Sequence, residues 1–369
     1  MVNLINTLAV VPPDGVWENI IFAFNNTFGN YAVAIILVTI CIKLLLLPVD
    51  YFNRRSSAKM GEMQSKLGPK LAEIQKKYPD KMVQNQKTQE LYQKEGFNPM
   101  GSCLSMVVVM FVSMAVFFTL FASLNNMAQY KITAQYDQLK NAYVQEYVME
   151  EKSITTEEDY IALNLSDEDI NKYITIISTL KDENGADLNE SVRERANNAV
   201  KVEYDQVKES FLWIKNIWMA DSPTTSAIPD FKSYATLAKL SLSGEEYTKA
   251  ETEYNAVMGS LKETEGVNGF FILAVLTGVT AFFYQYLLSK KKKQKQNFYT
   301  QNAKPDPSTQ TNKAMLIIMP VLMVMFTLSY NSIFAIYIII SQLVGIATAP
   351  LINYFINKPK KEKTKLQSK

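Results

Sequence analysis

The chain has 369 residues, 38 basic and 36 acidic side chains for a formal charge of +2, two cysteines and no histidine. Without histidine there is no His-ligated metal site and no Ser-His-Asp triad, and two cysteines that both fall in apolar stretches supply no disulfide framework. No catalytic residue, metal or cofactor is expected, and the small net charge hides a strong asymmetry along the chain.

The first 30 residues hold Asp14 and Glu18 and no Lys or Arg. Within them Val16, Trp17, Ile20, Ile21 and Phe24 recur at helical spacing, with Pro13 and Asp14 as a start signal and Gly29 as a stop, which predicts an amphipathic helix lying in a membrane interface. No basic n-region, small-residue cleavage site or lipid-accepting cysteine is visible. Either a signal segment precedes this sequence or a short uncharged tail is translocated directly.

Tyr31 to Val49 is apolar over 19 residues, roughly 28 Å of helix, which matches the hydrocarbon core of a bilayer. The same criterion gives spans at 103–124 and 267–288, and a double-length run from 314 to 356 that "SYNS" (Ser329 to Ser332) divides into 314–330 and 332–356. Five spans follow, with the termini on opposite sides.

Between the first two spans, residues 50–102 are rich in Lys and Arg. Met60, Met63, Leu67, Leu71, Ile74 and Tyr78, then Met82, Leu91 and Tyr92, predict two helices broken at Pro79, a helical hairpin. Residues 289–313 open with "KKKKQK", and the tail 357–369 is basic. By the Lys/Arg bias all three lie in the cytoplasm. Residues 125–266 carry 26 acidic and 14 basic side chains and belong outside with the N-terminus. "SDEDINKYITIISTL", capped by Ser166, and Ser191 to Phe211 read as helices there. In "FLWIKNIWMADSP" (211–223), Trp213 and Trp218 precede a span, as aromatic anchors at the outer headgroups do.

Lys43 is the anomaly. It sits six residues from Val49, roughly 9 Å into the first span, where a lysine costs about 3 kcal/mol before snorkelling. Other spans carry polar residues at related depths: Thr39, Ser105, Ser113, Thr119, Thr277, Thr280, Gln285, Thr327, Ser341 and Gln342. A hydrated groove explains them; snorkelling of the lysine and hydrogen bonding between helices explain them equally well.

Several stretches, in this order, resemble the YidC/Oxa/Alb family of membrane protein insertases: "GNYAVAIILVTICIKLLLLPVD", "KMGEMQSKLGPKLAEIQKKYPDK", "YQKEGFNPMGSCLSMVV", "FLWIKNI", the "DP" of "KPDPSTQTNKAMLIIMPVLM", and "NSIFAIYIIISQLVGIATAPLINYFINK". The resemblance covers about residues 15 to 124 and 210 to 358. It implies an all-α polytopic membrane protein whose five transmembrane helices enclose a hydrophilic groove open to cytoplasm and lipid. A cytoplasmic hairpin receives incoming chains, and one basic residue in the first span draws in the polar outer part of a substrate. Lys43 holds that position, where the family usually has Arg with its planar fork. Thr39, Ser113, Thr119, Thr280, Gln285, Thr327 and Gln342 are the polar groove residues to expect beside it.

The resemblance further implies a monomer in the bacterial cytoplasmic membrane that inserts and helps fold nascent membrane proteins, alone or beside the Sec translocon, with lipid as surroundings and no small-molecule substrate. The tail resembles the ribosome-contacting tails of some relatives, though positive-inside anchoring accounts for the same charges. Residues 125 to about 209 depart most from the family and read as an inserted external helical domain with no assignable role. A channel or transporter would show a paired charge or broken helix at the midplane, and a receptor a cytoplasmic output module; neither is visible.

Overall fold

A computed structural model describes residues 11–96, 99–289 and 307–357; the "KKKKQK" run and the basic tail beyond Asn357 lie outside these. Among the described residues there are thirteen helices and only isolated β-bridges. They are α1 (Val16–Phe28), α2 (Tyr31–Leu45), α3 (Leu47–Lys77), α4 (Lys81–Lys94), α5 (Pro99–Glu151), α6 (Glu157–Ala162), α7 (Asp167–Thr179), α8 (Ser191–Val207), α9 (Phe231–Leu237), α10 (Gly244–Glu265), α11 (Ile272–Ser289), α12 (Pro307–Ser329) and α13 (Ser332–Asn357).

The α5 stretch Val107–Glu151 and the α13 stretch Ser332–Ile356 are long and apolar enough to cross a membrane, and the bent pair formed by α2 with the start of α3 makes a third if it counts as one span. Ile272–Leu287 and Leu316–Ser329 are apolar but shorter. Three of these helices end elsewhere than the expected spans. The first apolar helix is not straight to Val49: it stops at Leu45 and the chain turns by 51°, because Pro48 has no N–H to give the carbonyl of Leu44 and its ring crowds that turn. The second does not stop at Leu124. It continues without a break to Glu151, 53 residues in all, about 80 Å. The third begins at Ile272, not Val267, since the residues before it are held in a non-helical arrangement described below.

The chain divides into two compact units: Met1–Leu37 with Leu120–Thr277 and Met323–Tyr337, and Val38–Thr119 with Gly278–Leu322 and Ile338–Lys369. In the first unit, α10 packs on α7, α8 and α9, and α7 on α8. Their buried faces follow the helical period: Ile170, Ile174 and Ile177 on α7, Ala196, Val200 and Tyr204 on α8, and Tyr254, Val257 and Leu261 on α10. The second half of α5 adds Leu139, Tyr143, Val144 and Val148. Each such side chain contributes about 2 kcal/mol on burial. The Ser166–Asp169 capping box starts α7.

Segment 211–223 packs into the first unit. Trp218 is 4% exposed and meets Tyr31 edge-on with ring centroids 5.4 Å apart, and Ile214, Ile217 and Met219 are buried. The segment ties two helix starts. Asn268 Nδ2 donates to the carbonyls of Asn216 (2.9 Å) and Ala220 (3.0 Å), while its Oδ1 accepts from the Asn216 amide (2.8 Å). The carboxylate of Asp221 accepts the amides of Phe270 (2.8 Å) and Leu273 (2.6 Å), placing a negative charge at the N-terminus of α11, where the helix dipole favours it. At Gly269 a β-carbon would fall 1.9 Å from Asp221 Oδ1. The start of α13 is held likewise, with the Ser332 amide and hydroxyl on the Met219 carbonyl and the Ile333 amide on that of Ile217. Asn268→Ala strands two buried backbone groups and a part-buried one, so thermal unfolding of the purified protein should show a loss of about 2–4 kcal/mol; a loss under 1 kcal/mol would mean water replaces the amide.

A second polar cluster lies inside the acidic segment. Lys140, 2% exposed, stands 3.2 Å from Asp137 and 3.3 Å from Asp167. Glu253 beside it is 6% exposed, with one oxygen lacking a hydrogen-bond donor among the described residues and Lys249 at 3.9 Å. Nearby, Tyr234 and Tyr254 stack and Tyr136 meets both at an angle. Burial pushes the Glu253 carboxyl up, with Lys249 and Lys140 pulling the other way, and burial does the same to Asp137. A carboxyl raised on folding supports the fold while protonated, and that support is lost as pH rises through its folded value. Glu253→Gln should therefore melt about 2–4 °C above the parent at pH 8 and level with it near pH 4; a lower melting temperature at pH 8 would show that the fold uses the charge.

Candidate functional site

The residues that matter for chemistry in an apolar segment are those the helix cannot satisfy by itself. Lys43 is half-buried on the last turn of α2, and Thr39, one turn earlier on the same face, is buried. The bend that follows brings Asp50 of α3 within electrostatic reach of Lys43. No carboxylate among the described residues comes within ion-pair distance of Lys43. The carboxylate that comes nearest to partnering it stands just past Pro48.

One turn beyond Asp50 is Arg54, which lies near the Tyr284 hydroxyl of α11 and whose Nη2 is buried with no acceptor among the described residues. Tyr284 in turn covers Gly345 of α13: a β-carbon there would sit 2.6 Å from the ring. A turn earlier on both helices, Thr280 donates its hydroxyl proton to the side-chain oxygen of Gln342. Contacts 280 to 342 and 284 to 345 advance together, so α11 and α13 run in the same direction along this seam.

The expected polar residues therefore separate. Thr280 and Gln342 meet, and Lys43 and Thr39 share a helix face. Ser113 and Thr119 are exposed on α5, and Thr119 donates back to the Ala115 and Val116 carbonyls of its own helix. Gln285 is half-buried beside Tyr284. Thr327 belongs to the other unit, where it is 3% exposed and bonded to the Met323 and Val324 carbonyls of α12. Arg54 was passed over among the ten basic residues of its segment. The available signal was its spacing, four residues after Asp50 and eleven after Lys43, close to whole helical turns.

Compared with known proteins, residues 23–181 and 196–361 match the model of the family described as 60Kd inner membrane protein. That is most of the chain. It belongs to this family, that of YidC/Oxa/Alb. The match runs through residues 125–181, which the sequence resemblance had set apart as an insertion. Over 117 residues the chain is 39% identical to the membrane protein insertase YidC of Oceanobacillus iheyensis, covering 30% of this chain and 44% of that one. Over 102 residues it is 40% identical to the protein of the same name from Geobacter sulfurreducens, covering 27% and 18%. Over 100 residues it is 39% identical to that of Fusobacterium nucleatum, covering 26% and 47%. The similarity to these YidC/Oxa/Alb relatives thus spans less than half the length of each.

The seam between α11 and α13 makes a quantitative test. A double-mutant cycle of Thr280→Val and Gln342→Leu, read by thermal unfolding in detergent, should give a coupling of about 0.5–1.5 kcal/mol; additive effects would show that the hydroxyl and amide do not interact.

Proposed function

We propose that this protein is a membrane protein insertase of the bacterial cytoplasmic membrane. The observation that carries the reading is the family match over residues 23–181 and 196–361, with relatives that bear the name insertase. On this reading α2, the start of α5, α11, α12 and α13 are five spans around a polar groove open to cytoplasm and lipid, and α3 with α4 is a cytoplasmic hairpin that receives incoming chains. The shared direction of α11 and α13, and the attachment of both starts to segment 211–223, support an arrangement with the acidic segment outside and the basic segments inside. The N-terminus is then outside and the C-terminus cytoplasmic.

Such an activity requires neither ATP nor covalent chemistry, so the protein is not an enzyme. A polar tail crossing a bilayer must shed its water. Polar groups held partway across, Thr280, Gln342 and Gln285 with Lys43 and Thr39, shorten the dehydrated path. The charge on Lys43 favours an acidic tail at that depth. The apolar segment of the substrate then moves sideways into lipid, driven by its own burial at about 25 cal/mol per Å². The protein lowers a barrier and the substrate supplies the free energy. Nascent membrane proteins are the substrates, and the Sec translocon and the ribosome are partners to test.

Purified protein in liposomes should insert a single-span substrate with a short acidic outer tail. Lys43→Ala should reduce the initial rate about tenfold, equivalent to about 1.4 kcal/mol, and Lys43→Arg should retain it. Equal rates for all three would assign Lys43 to snorkelling, and no insertion by the parent protein would remove the reading altogether.

A further inference from the structure

Lys43 shares its surroundings with one lone acid. From Val38 to Gly61 the chain carries a single carboxylate, Asp50, and α11 and α13 carry none. Asp50 is half-buried, and a carboxylate kept beside apolar helices is costly unless another charge answers it. The break between α2 and α3 puts it there. α2 ends at Leu45, and α3 starts at Leu47 with Pro48 and Asp50 in its first turn, 51° off the line of α2. The Asp50 amide donates to the Leu46 carbonyl at 3.0 Å, which fixes the acid directly after the break.

Asp50 lies within the electrostatic field of both Lys43 and the Tyr284 hydroxyl, and Arg54, one turn on, stands near that same hydroxyl. Lys43 and Asp50 attract without closing into an ion pair. An ammonium is a compact point charge with no fixed fork, so what it selects depends on the field at its head, and a second charge nearby retunes that field. An acid in the first turn of a helix is also favoured by the helix dipole. That role alone would act on folding and not on which substrate is taken.

We propose that Asp50 is a positioning residue for substrate selection, the resident counter-charge of Lys43 whose place an acidic group in the substrate tail takes. While no substrate is present, Asp50 answers part of the charge on Lys43, which lowers the cost of holding a lone ammonium among apolar helices. An acidic tail that reaches Lys43 competes with Asp50, so its advantage over a neutral tail is held down. A basic tail is repelled less than Lys43 alone would repel it. Asp50 thus broadens the range of tails accepted, since selectivity is a difference of affinities and repulsion counts in it as much as attraction. That a polypeptide tail reaches Lys43 is taken from the insertase reading, so binding and insertion are measured separately.

The full-length protein in phosphatidylcholine nanodiscs is titrated with fluorescent single-span peptides that differ only in a tail bearing a pair of Asp, Asn or Lys residues. Insertion of the same peptides into liposomes is followed alongside. In Asp50→Asn the ratio of Asp-tail to Asn-tail affinity should rise by about threefold or more and the Lys tail should weaken, while Asp50→Glu should keep the parent profile. No preference for the Asp tail is expected in Lys43→Gln, with or without Asp50→Asn. Asp50→Ser is the second neutral variant if Asp50→Asn does not fold. A change equal for all three tails would assign Asp50 to the helix start alone and overturn the proposal. An unchanged ratio in the folded variants, a preference for the Asp tail without Lys43, or no binding of that tail by the parent would overturn it too. A shifted ratio with no insertion by the parent would keep the counter-charge and remove the insertase reading; an unchanged ratio with insertion intact would remove the counter-charge alone.

Discussion

An apolar helix has no water to lend its polar side chains, so each of them must find a partner within the protein or stand in a place that water reaches. That constraint sorts this molecule. Thr277 and Thr327 return their protons to carbonyls of their own helices, as serines and threonines in apolar helices commonly do. Thr280 reaches across to Gln342 instead. Lys43 stands half-buried with only the distant field of Asp50 to balance it among the described carboxylates. A lysine so placed either reaches water by its own length or lines a site that holds water, and the functional proposal takes the second.

The arrangement of the apolar helices depends on a polar knot outside them. Segment 211–223 buries Ile214, Ile217 and Trp218 and, through its backbone and Asp221, caps the starts of both α11 and α13. Backbone groups at the start of a helix have no partner within it. Here they are satisfied by carbonyls and a carboxylate supplied from one short stretch, which sets where both helices begin. In the second unit, Thr280 with Gln342 and Tyr284 with Gly345 set the register of the two helices.

Much of this was legible in the sequence and some of it could not be. The helical character of the acidic segment followed from the Ser166 cap and from apolar spacing in α7 and α8, and the break between α3 and α4 from Pro79. The order of the motifs gave the family. Helix ends in apolar runs were poorly marked, because hydropathy reports only that a stretch is apolar. It cannot show that α5 carries on as an amphipathic helix past Leu124, or that Asn268 and Gly269 interrupt a run before α11. Trp218 shows a related limit: its place near an apolar run says nothing of tertiary packing, and only the contact with Tyr31 shows that it is buried. Among the polar candidates, spacing did not identify the Thr280–Gln342 pair, which lies 62 residues apart in sequence.

The central claim is that polar side chains of α2, α11 and α13 face a passage that substrate occupies. Site-specific photocrosslinking tests it most directly. A photoreactive residue is placed in turn at Lys43, at Thr280 and at Phe282, an exposed apolar position on the same helix as Thr280, and a ribosome-stalled single-span substrate is presented in membranes. The account predicts strong crosslinks to the substrate tail from 43 and 280 and little from 282. Crosslinks from 282 alone, or none above background at 43 and 280 while insertion proceeds, would contradict it.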